Sequence, residues 1–539
     1  MVKSLNMKHG IKFLLLLVLL SGIWKGSSAQ DLPTPHWIGT ATINDTILYA
    51  KLYIKKDTGR IHIPQRGIIH AGLKKIDLGP GISFEGGSVD FRGQANGDSL
   101  WGLVSVNGKK GVMKFSPYSP LDKTHASELT GMYRLRNDQL ISLTSFSDGI
   151  ELLNYATGEY IQCWQSAVKP GEFFQVFPLG PDFKRRAEEQ STVSIRGRRI
   201  SVSKYNTRTK NKLLSNGGEV ALFTSEPVSF YNGQIRISGN LRTPTTNTRR
   251  VPLIIIIPGS GEFLTDFLYH RIINYFASNG FAVFSYDKRG MGDSTGDLNT
   301  SDFYDFAQDI QVAIKGLSKD GRIDSTQIVL WAHSQGGWIA PIAANPCQNV
   351  SAIISVSAPT DTPGVQTTYW VKHFLKTMNY PEKDVDEAVD WMHLITNVMD
   401  AHGEGYEAIE AKLPEIKKKK WQDFVTVPES KENLLRWSGY YYNPLPELIK
   451  LKIPILSIFG GLDIHVNGKS NAEKLKGIFK ESHNVNAKVM IFPDSDHDIV
   501  LCKVGNRDLE ERYQSVYAPG YFKLLKNWTN EALRVKRLR

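Results

Sequence analysis

The sequence predicts an α/β fold, a doubly wound and mostly parallel sheet with a helical cap insertion, preceded by an antiparallel β-rich region. Three observations carry this expectation. Beyond Pro227, apolar runs of strand length at 253–257, 281–285, 328–332, 353–356, 453–459 and 489–492 alternate with helical patterns. Runs that are apolar on both faces are what a parallel sheet covered by helices requires. Before Pro227 the style is different: Ala50, Leu52 and Ile54 alternate with Tyr49, Lys51 and Tyr53, and Asn-Gly pairs stand where tight hairpins turn. Finally, the run at 328–332 passes through Ser334 into a helical pattern, the strand–turn–helix order of a βα unit.

Taken in chain order, residues 1–29 have the composition of a cleavable signal peptide. Lys3, Lys8 and Lys12 precede the apolar run 13–20, and Ser27, Ser28 and Ala29 supply small side chains before Gln30. The expected location is periplasmic or extracellular, with no stable membrane insertion after cleavage, because no later run is apolar for long enough to span a bilayer. Residues 30–125 read as an antiparallel meander with turns at Asn96-Gly97 and Asn107-Gly108. A second β-rich region, 126–225, has turn signals at Asp148-Gly149 and Thr157-Gly158. The α/β domain is expected over 226–539, interrupted at about 361–450 by a helical insertion in which Val385, Ala388, Val389, Met392, Ile395 and Met399 recur at helical spacing. An insertion there would lie over the strand ends, where ligands of such sheets bind, and act as a lid or cap.

Composition narrows the function. The 539 residues carry a formal charge of +11, which falls to +7 when Lys3, Lys8, Lys12 and Lys25 leave with the signal peptide. The basic clusters at 184–186, 196–212, 417–420 and 534–539 are spread over the chain and form no aromatic-interleaved nucleic-acid motif, so a nucleic-acid partner is not expected. Cys163, Cys347 and Cys502 make neither a disulfide framework nor a metal-ligand spacing, and at most one bridge could form among them. Oligomeric state is not legible.

The chemistry concentrates in three stretches. Ile328-Val329-Leu330-Trp331-Ala332-His333-Ser334-Gln335-Gly336-Gly337 reads as a nucleophile elbow. The chain turns so sharply there that bulky side chains two positions either side of the serine would collide, and Ala332 and Gly336 fill those places. A serine hydroxyl needs a base within reach. His497, in the loop after the last core strand, is the leading candidate; His333, beside the serine, is its rival. An acid must orient the imidazole, and Asp463, in a Gly460-Gly461-Leu462-Asp463 turn after a buried run, is preferred to Asp361 and to Asp494, Asp496 and Asp498. The glycine-rich loop Ile257-Pro258-Gly259-Ser260-Gly261-Glu262 would supply an oxyanion donor, the N–H of Ser260 or Gly261, opposite the N–H of Gln335. No Lys-Ser/Thr follows this loop, which excludes a nucleotide P-loop.

These stretches, together with Tyr286-Asp287-Lys288-Arg289-Gly290-Met291-Gly292-Asp293-Ser294, resemble the α/β-hydrolases related to bacterial acyl esterases and serine aminopeptidases. The resemblance runs from about Phe230 to Trp528. It implies Ser334, Asp463 and His497 as a catalytic triad, a structural loop at 286–294, and no metal or organic cofactor. The expected activity is hydrolysis of a carboxylic ester, with a small-molecule ester or peptide as partner. An aminopeptidase or prolyl-peptidase activity, with Glu262 holding an amino terminus, is the enzymatic alternative. A catalytically silent binding protein is the other.

Overall fold

In the computed structural model the described residues are 34–43, 46–63, 68–78, 81–95, 99–121, 130–134, 139–146, 148–168, 173–174, 192–195, 198–201, 222–245, 249–435, 442–505 and 514–537. The expected signal peptide, the Asn96-Gly97 turn and much of 126–225 lie outside them. The described residues gather into two compact units, one within 1–122 and 163–207, the other within 123–162 and 208–539.

The first unit is an antiparallel meander. Its strands are β1 (His36–Ile43), β2 (Thr46–Lys55), β3 (Thr58–Ile63), β4 (Ile68–Gly72), β5 (Lys74–Leu78), β6 (Ile82–Gly86), β7 (Val89–Ala95), β8 (Leu100–Val106) and β9 (Lys109–Ser119). β5 to β9 pair in succession, and β9 then pairs with β1, from which β2, β3 and β4 follow. Alternation explains the register: Trp37, Ala41, Leu48, Leu52, Phe84, Phe91, Met113 and Phe115 turn to one core. Asn107 and Gly108 take φ of 51° and 76° at the β8–β9 hairpin, the left-handed pair that an Asn-Gly turn provides.

The second unit holds an eight-stranded sheet. Its strands are β17 (Phe223–Asn232), β18 (Ile235–Pro244), β19 (Val251–Ile257), β20 (Ala282–Tyr286), β21 (Ile323–His333), β22 (Val350–Val356), β23 (Ile455–Gly460) and β24 (Ala487–Phe492), in the order β17-β18-β20-β19-β21-β22-β23-β24. The β17–β18 hairpin is antiparallel and joins β20 antiparallel; every later pairing is parallel. Helices α1 (Thr265–Ser278) and α10 (Tyr521–Arg537) cover one face, where Ile254 and Ile256 point. Helices α2 (Phe303–Leu317), α3 (Gly336–Ala344), α8 (Leu445–Lys450) and α9 (Gly468–Glu481) cover the other, where Ile255 and Ile257 point. Each such side chain removed from water contributes about 1.5–3 kcal/mol, which is why these strands are continuous apolar runs. α2 begins at a capping box, Asp305 N–H donating to the Asp302 carboxylate and Asp302 N–H to that of Asp305.

Between β22 and β23 stand α4 (Pro363–Thr377), α5 (Glu382–Asp400), α6 (Tyr406–Ile416), α7 (Lys431–Leu435) and α8. Val385, Ala388, Met392, Ile395 and Met399 of α5 are buried with Val371 and Leu375 of α4 and Trp421, so the stripe is the seam of packed helices; Val389 is half-buried beside it.

The compact units divide the chain differently from the expected 126–225 and 226–539. Strands β10 (Gly131–Arg134), β11 (Leu140–Phe146) and β12 (Gly149–Asn154), with the start of β13 (Glu159–Ser166), belong to the second unit, while the end of β13 and the short strands β14 (Phe173–Phe174), β15 (Thr192–Ile195) and β16 (Arg198–Ser201) belong to the first. The physical reason is burial. Met132, Leu140, Leu153, Tyr155 and Tyr160 enter the core over α1 and α10. The buried Glu151 carboxylate takes hydrogen bonds from Arg271 Nε at 2.7 Å and from Arg271 Nη2, and His270 Nε2 lies 3.2 Å from it. A hydrophobic pattern alone does not reveal which core a strand serves.

Candidate active site

β21 carries the chain into the sheet's C-terminal edge and ends at His333. Ser334 follows with φ of 51°, a left-handed conformation that a non-glycine residue adopts only where its surroundings enforce it. Enforcement is visible: Ser334 N–H donates to Val356 O at 2.9 Å, and α3, buried along its whole length, starts two residues later. A Cβ on Gly336 would stand 2.6 Å from Ile257 O and 3.0 Å from Pro258 O, so this position tolerates no side chain. A Cβ on Gly259 would stand 3.2 Å from Ser334 Cβ, which shows how closely the 257–262 loop is laid against the elbow.

His497 arrives from the loop after β24. Its Nδ1 lies 2.7 Å from Asp463 Oδ2, while Asp463 Oδ1 accepts from His465 N–H at 2.7 Å and Val466 N–H at 3.0 Å. The carboxylate is buried and fully engaged, one oxygen on the backbone and one on the imidazole. Burial opposes the imidazolium, but the charge and hydrogen bond of Asp463, with Asp498 and Asp496, outweigh it and hold His497 above the ordinary histidine range. Ser334 and His497 line one cavity of about 600 Å³. No hydrogen bond joins them among the described residues; such bonds commonly tighten only around substrate.

The other candidates are placed elsewhere. Asp361 pairs with Lys474, and its carbonyl takes Trp338 Nε1–H at 3.1 Å. Asp496 Oδ1 accepts from Asp498 N–H and Val500 N–H, both at 3.0 Å, and so shapes the histidine loop. Asp494 and Glu262 are exposed, Glu262 at the cavity lining. His333 is buried, and that burial with the nearby His497 pushes its pKa down to about 4. Neutral at physiological pH, it accepts at Nδ1 from the Tyr269 hydroxyl at 3.0 Å and donates from Nε2 to His497 O at 3.2 Å. Tyr269 in turn accepts from Gly259 N–H at 2.9 Å. His333 is thus a brace joining the 257–262 loop to the loop that carries His497. Sequence reasoning missed Tyr269, whose only signal is its place on the buried stripe of α1.

Ser260 and Gln335 both line the cavity, and neither backbone N–H has a partner among the described residues. Gln335 opens α3, where amide donors are left over by geometry. Leu298, Phe303, Phe306 and Trp338 also line the cavity, an apolar group backed by Tyr442, whose hydroxyl donates to Trp338 O at 3.1 Å. Among the described residues no group of His, Cys, Asp or Glu has the arrangement to hold a metal ion, and the three cysteines are unbridged.

This geometry stands beside what the chain resembles. The relative in Escherichia coli named the uncharacterized 31.7 kDa protein in the traX-finO intergenic region is 28% identical over 234 residues, which cover 42% of this chain and 77% of that one. Among solved structures, the Pyrococcus furiosus esterase Pf2001 matches 58% of this chain and 91% of its own at 16% identity and a TM-score of 0.36. Est1E from Butyrivibrio proteoclasticus matches 58% of this chain and 99% of its own at 13% identity and a TM-score of 0.34. A family model described as the alpha/beta hydrolase fold matches residues 252–503, the span that contains the elbow, the cap helices and the histidine loop. Over these residues the chain has the α/β-hydrolase fold.

Proposed function

We propose that this chain is a serine hydrolase that cleaves carboxylic esters through an acyl-enzyme on Ser334. The observation that carries the reading is the 2.7 Å contact between His497 Nδ1 and Asp463 Oδ2, in a cavity wall shared with Ser334 on its strained turn. Asp463 fixes the tautomer in which His497 Nε2 is free to accept a proton. Ser334 Oγ then bonds to the ester carbonyl carbon as its proton passes to Nε2. The N–H groups of Ser260 and Gln335 hold the oxyanion, and the C–O bond breaks as Nε2 returns the proton to the departing alcohol. Water repeats the sequence on the acyl-enzyme, its proton passing through His497 back to Ser334 Oγ as the acid leaves. The wall of Leu298, Phe303, Phe306 and Trp338 favours an apolar acyl group of modest size.

The test compares p-nitrophenyl acetate and butyrate with aminoacyl p-nitroanilides, on wild type and Ser334→Ala, alongside fluorophosphonate labelling mapped by peptide mass. Ester turnover and labelling of Ser334, both lost in Ser334→Ala, are expected. Absence of labelling in folded protein would favour the silent binding protein, and preference for the anilides the peptidase. Export is part of the same proposal and rests on residues 1–29: expressed with its own N-terminus in a secreting bacterial host, the exported protein should begin at Gln30.

A further inference from the structure

A lysine is an unusual residue to bury beside a catalytic serine. Lys288, in the loop after β20, is 3% exposed and lines the cavity, and its Nζ donates to Gly259 O at 2.9 Å. Its neighbours in sequence are engaged elsewhere. Asp287 Oδ1 takes Thr265 N–H, and Arg289 is paired with Asp305 and Asp309. Gly259 O and Ser260 N–H are the two ends of one peptide group, and that group is trans, so they point in opposite directions. The N–H at one end is the donor that the proposed mechanism uses, and the cation sits on the other.

We propose that Lys288 is a positioning residue for the oxyanion hole: its ammonium, clamped on Gly259 O, fixes the plane of the Gly259–Ser260 peptide and polarises the Ser260 N–H toward the developing oxyanion. The inference rests on the proposed role of Ser334. Two further contacts hold the same loop, Gly259 N–H on Tyr269 and the close approach of Gly259 to Ser334, so the remaining freedom of the segment is rotation about this peptide. A charged donor on the carbonyl also strengthens the donor at the other end, because hydrogen bonds in series polarise one another. Burial pushes the pKa of Lys288 down to about 8, opposed by the charge of Glu262. The clamp therefore weakens over an accessible pH range as the ammonium loses its charge.

The experiment measures the second-order rate of fluorophosphonate labelling at Ser334 between pH 6 and 10, and kcat and KM on p-nitrophenyl acetate, for wild type, Lys288→Met and Glu262→Gln, with circular dichroism as a check of folding. Labelling forms the Oγ–P bond and expels fluoride while the phosphoryl oxygen occupies the oxyanion hole, so it reads the hole directly. Lys288→Met should label about 10- to 100-fold more slowly at pH 7, somewhat less than the hundredfold or more expected when an oxyanion donor is removed outright. In turnover, kcat should fall while KM stays within about threefold, since the clamp acts on the transition state. Wild type should lose rate above about pH 8, Lys288→Met should lack that limb, and Glu262→Gln should move it to lower pH.

Labelling of Lys288→Met at the wild-type rate overturns the proposal, as does a rise in KM at constant kcat, which would make Lys288 a contact for bound substrate. Should Lys288→Met fail to fold, the wild-type profile decides: a rate flat from pH 7 to 10 overturns the clamp. If wild type itself does not label at Ser334, the proposed function falls and takes this inference with it. If wild type labels and Lys288→Met labels equally fast, only the inference falls.

Discussion

Replacing Asp463 by Asn puts the proposed mechanism to its most direct test. The two carboxylate oxygens have different partners: Oδ1 receives the N–H groups of His465 and Val466, and Oδ2 faces His497 Nδ1 at 2.7 Å. An Asn side chain must keep its oxygen on the two backbone donors, which leaves Nδ2–H directed at His497 Nδ1. That nitrogen then becomes an acceptor, the ring proton moves to Nε2, and the atom that should take the proton of Ser334 already carries one. A wrong tautomer of this kind costs about 10⁴-fold in kcat, or about 5 kcal/mol of transition-state free energy. Initial rates on p-nitrophenyl acetate, with the melting temperature as control, measure it. The loss should come with KM nearly unchanged, and the acid limb of any residual activity should shift to lower pH, since the charge that raises the His497 pKa is gone. A loss below tenfold in a folded variant would refute the assignment of Asp463 as the orienting acid.

Other consequences follow from the same geometry. The acid limb of wild-type kcat/KM should have its midpoint above the ordinary histidine value of about 6.5, because the His497 pKa is raised. The stabilisation this gives is complete below that ordinary value and fades as pH rises through the folded pKa, the interval over which activity appears. Tyr269→Phe removes the hydroxyl between Gly259 N–H and His333 Nδ1. It should cost about 1–3 kcal/mol of stability through two orphaned buried groups, read by urea unfolding, and lower kcat by about tenfold through the loosened oxyanion loop. Glu151→Ala leaves Arg271 buried and unpaired, so the unfolding free energy should drop by about 3–5 kcal/mol. Burial alone would raise the pKa of Glu151, but Arg271 and His270 hold it well below the carboxylate range. Its contribution is therefore full above about pH 4.3 and lost as pH falls through the folded value, a dependence that Glu151→Ala should abolish.

The parts of the fold that sequence could announce are those where one local rule has one outcome. A short, β-branched apolar run such as 253–257 has the length and composition of a strand covered on both faces, and β19 lies over it. The elbow was legible because it needs small residues around the serine, and at Gly336 the structure states that steric demand in distances. His497 and Asp463 were legible as loop residues after particular strands. Tyr269 and Lys288 were not: each acts through a backbone atom of Gly259, and a contact to a carbonyl or an amide leaves no mark on the partner's identity. The same limit applied to β10–β12. Their alternation declares strands, but which core receives Leu140, Leu153 and Tyr155 depends on α1 and α10, more than a hundred residues away.

Strands β10–β12 bear on the site itself. Ile499, buried and β-branched, has φ of 62° two residues beyond His497; a conformation so unfavourable for its type costs about 1–3 kcal/mol and persists only if neighbours impose it. They do so from two sides. Asp496 gathers Asp498 and Val500 within the loop, while Ala518 N–H takes Ile499 O at 2.9 Å and Leu501 N–H reaches Val516 O at 2.8 Å. Val516 ends the short strand β25 (Gln514–Val516), which pairs with β13 at Glu159–Ile161, and Tyr517 N–H donates to Gly158 O. The loop that presents His497 is therefore fastened to the strand that continues β10–β12. The hydrolase sheet supplies the position of the histidine loop, and the added β-strands supply the restraint that keeps its strained turn in place.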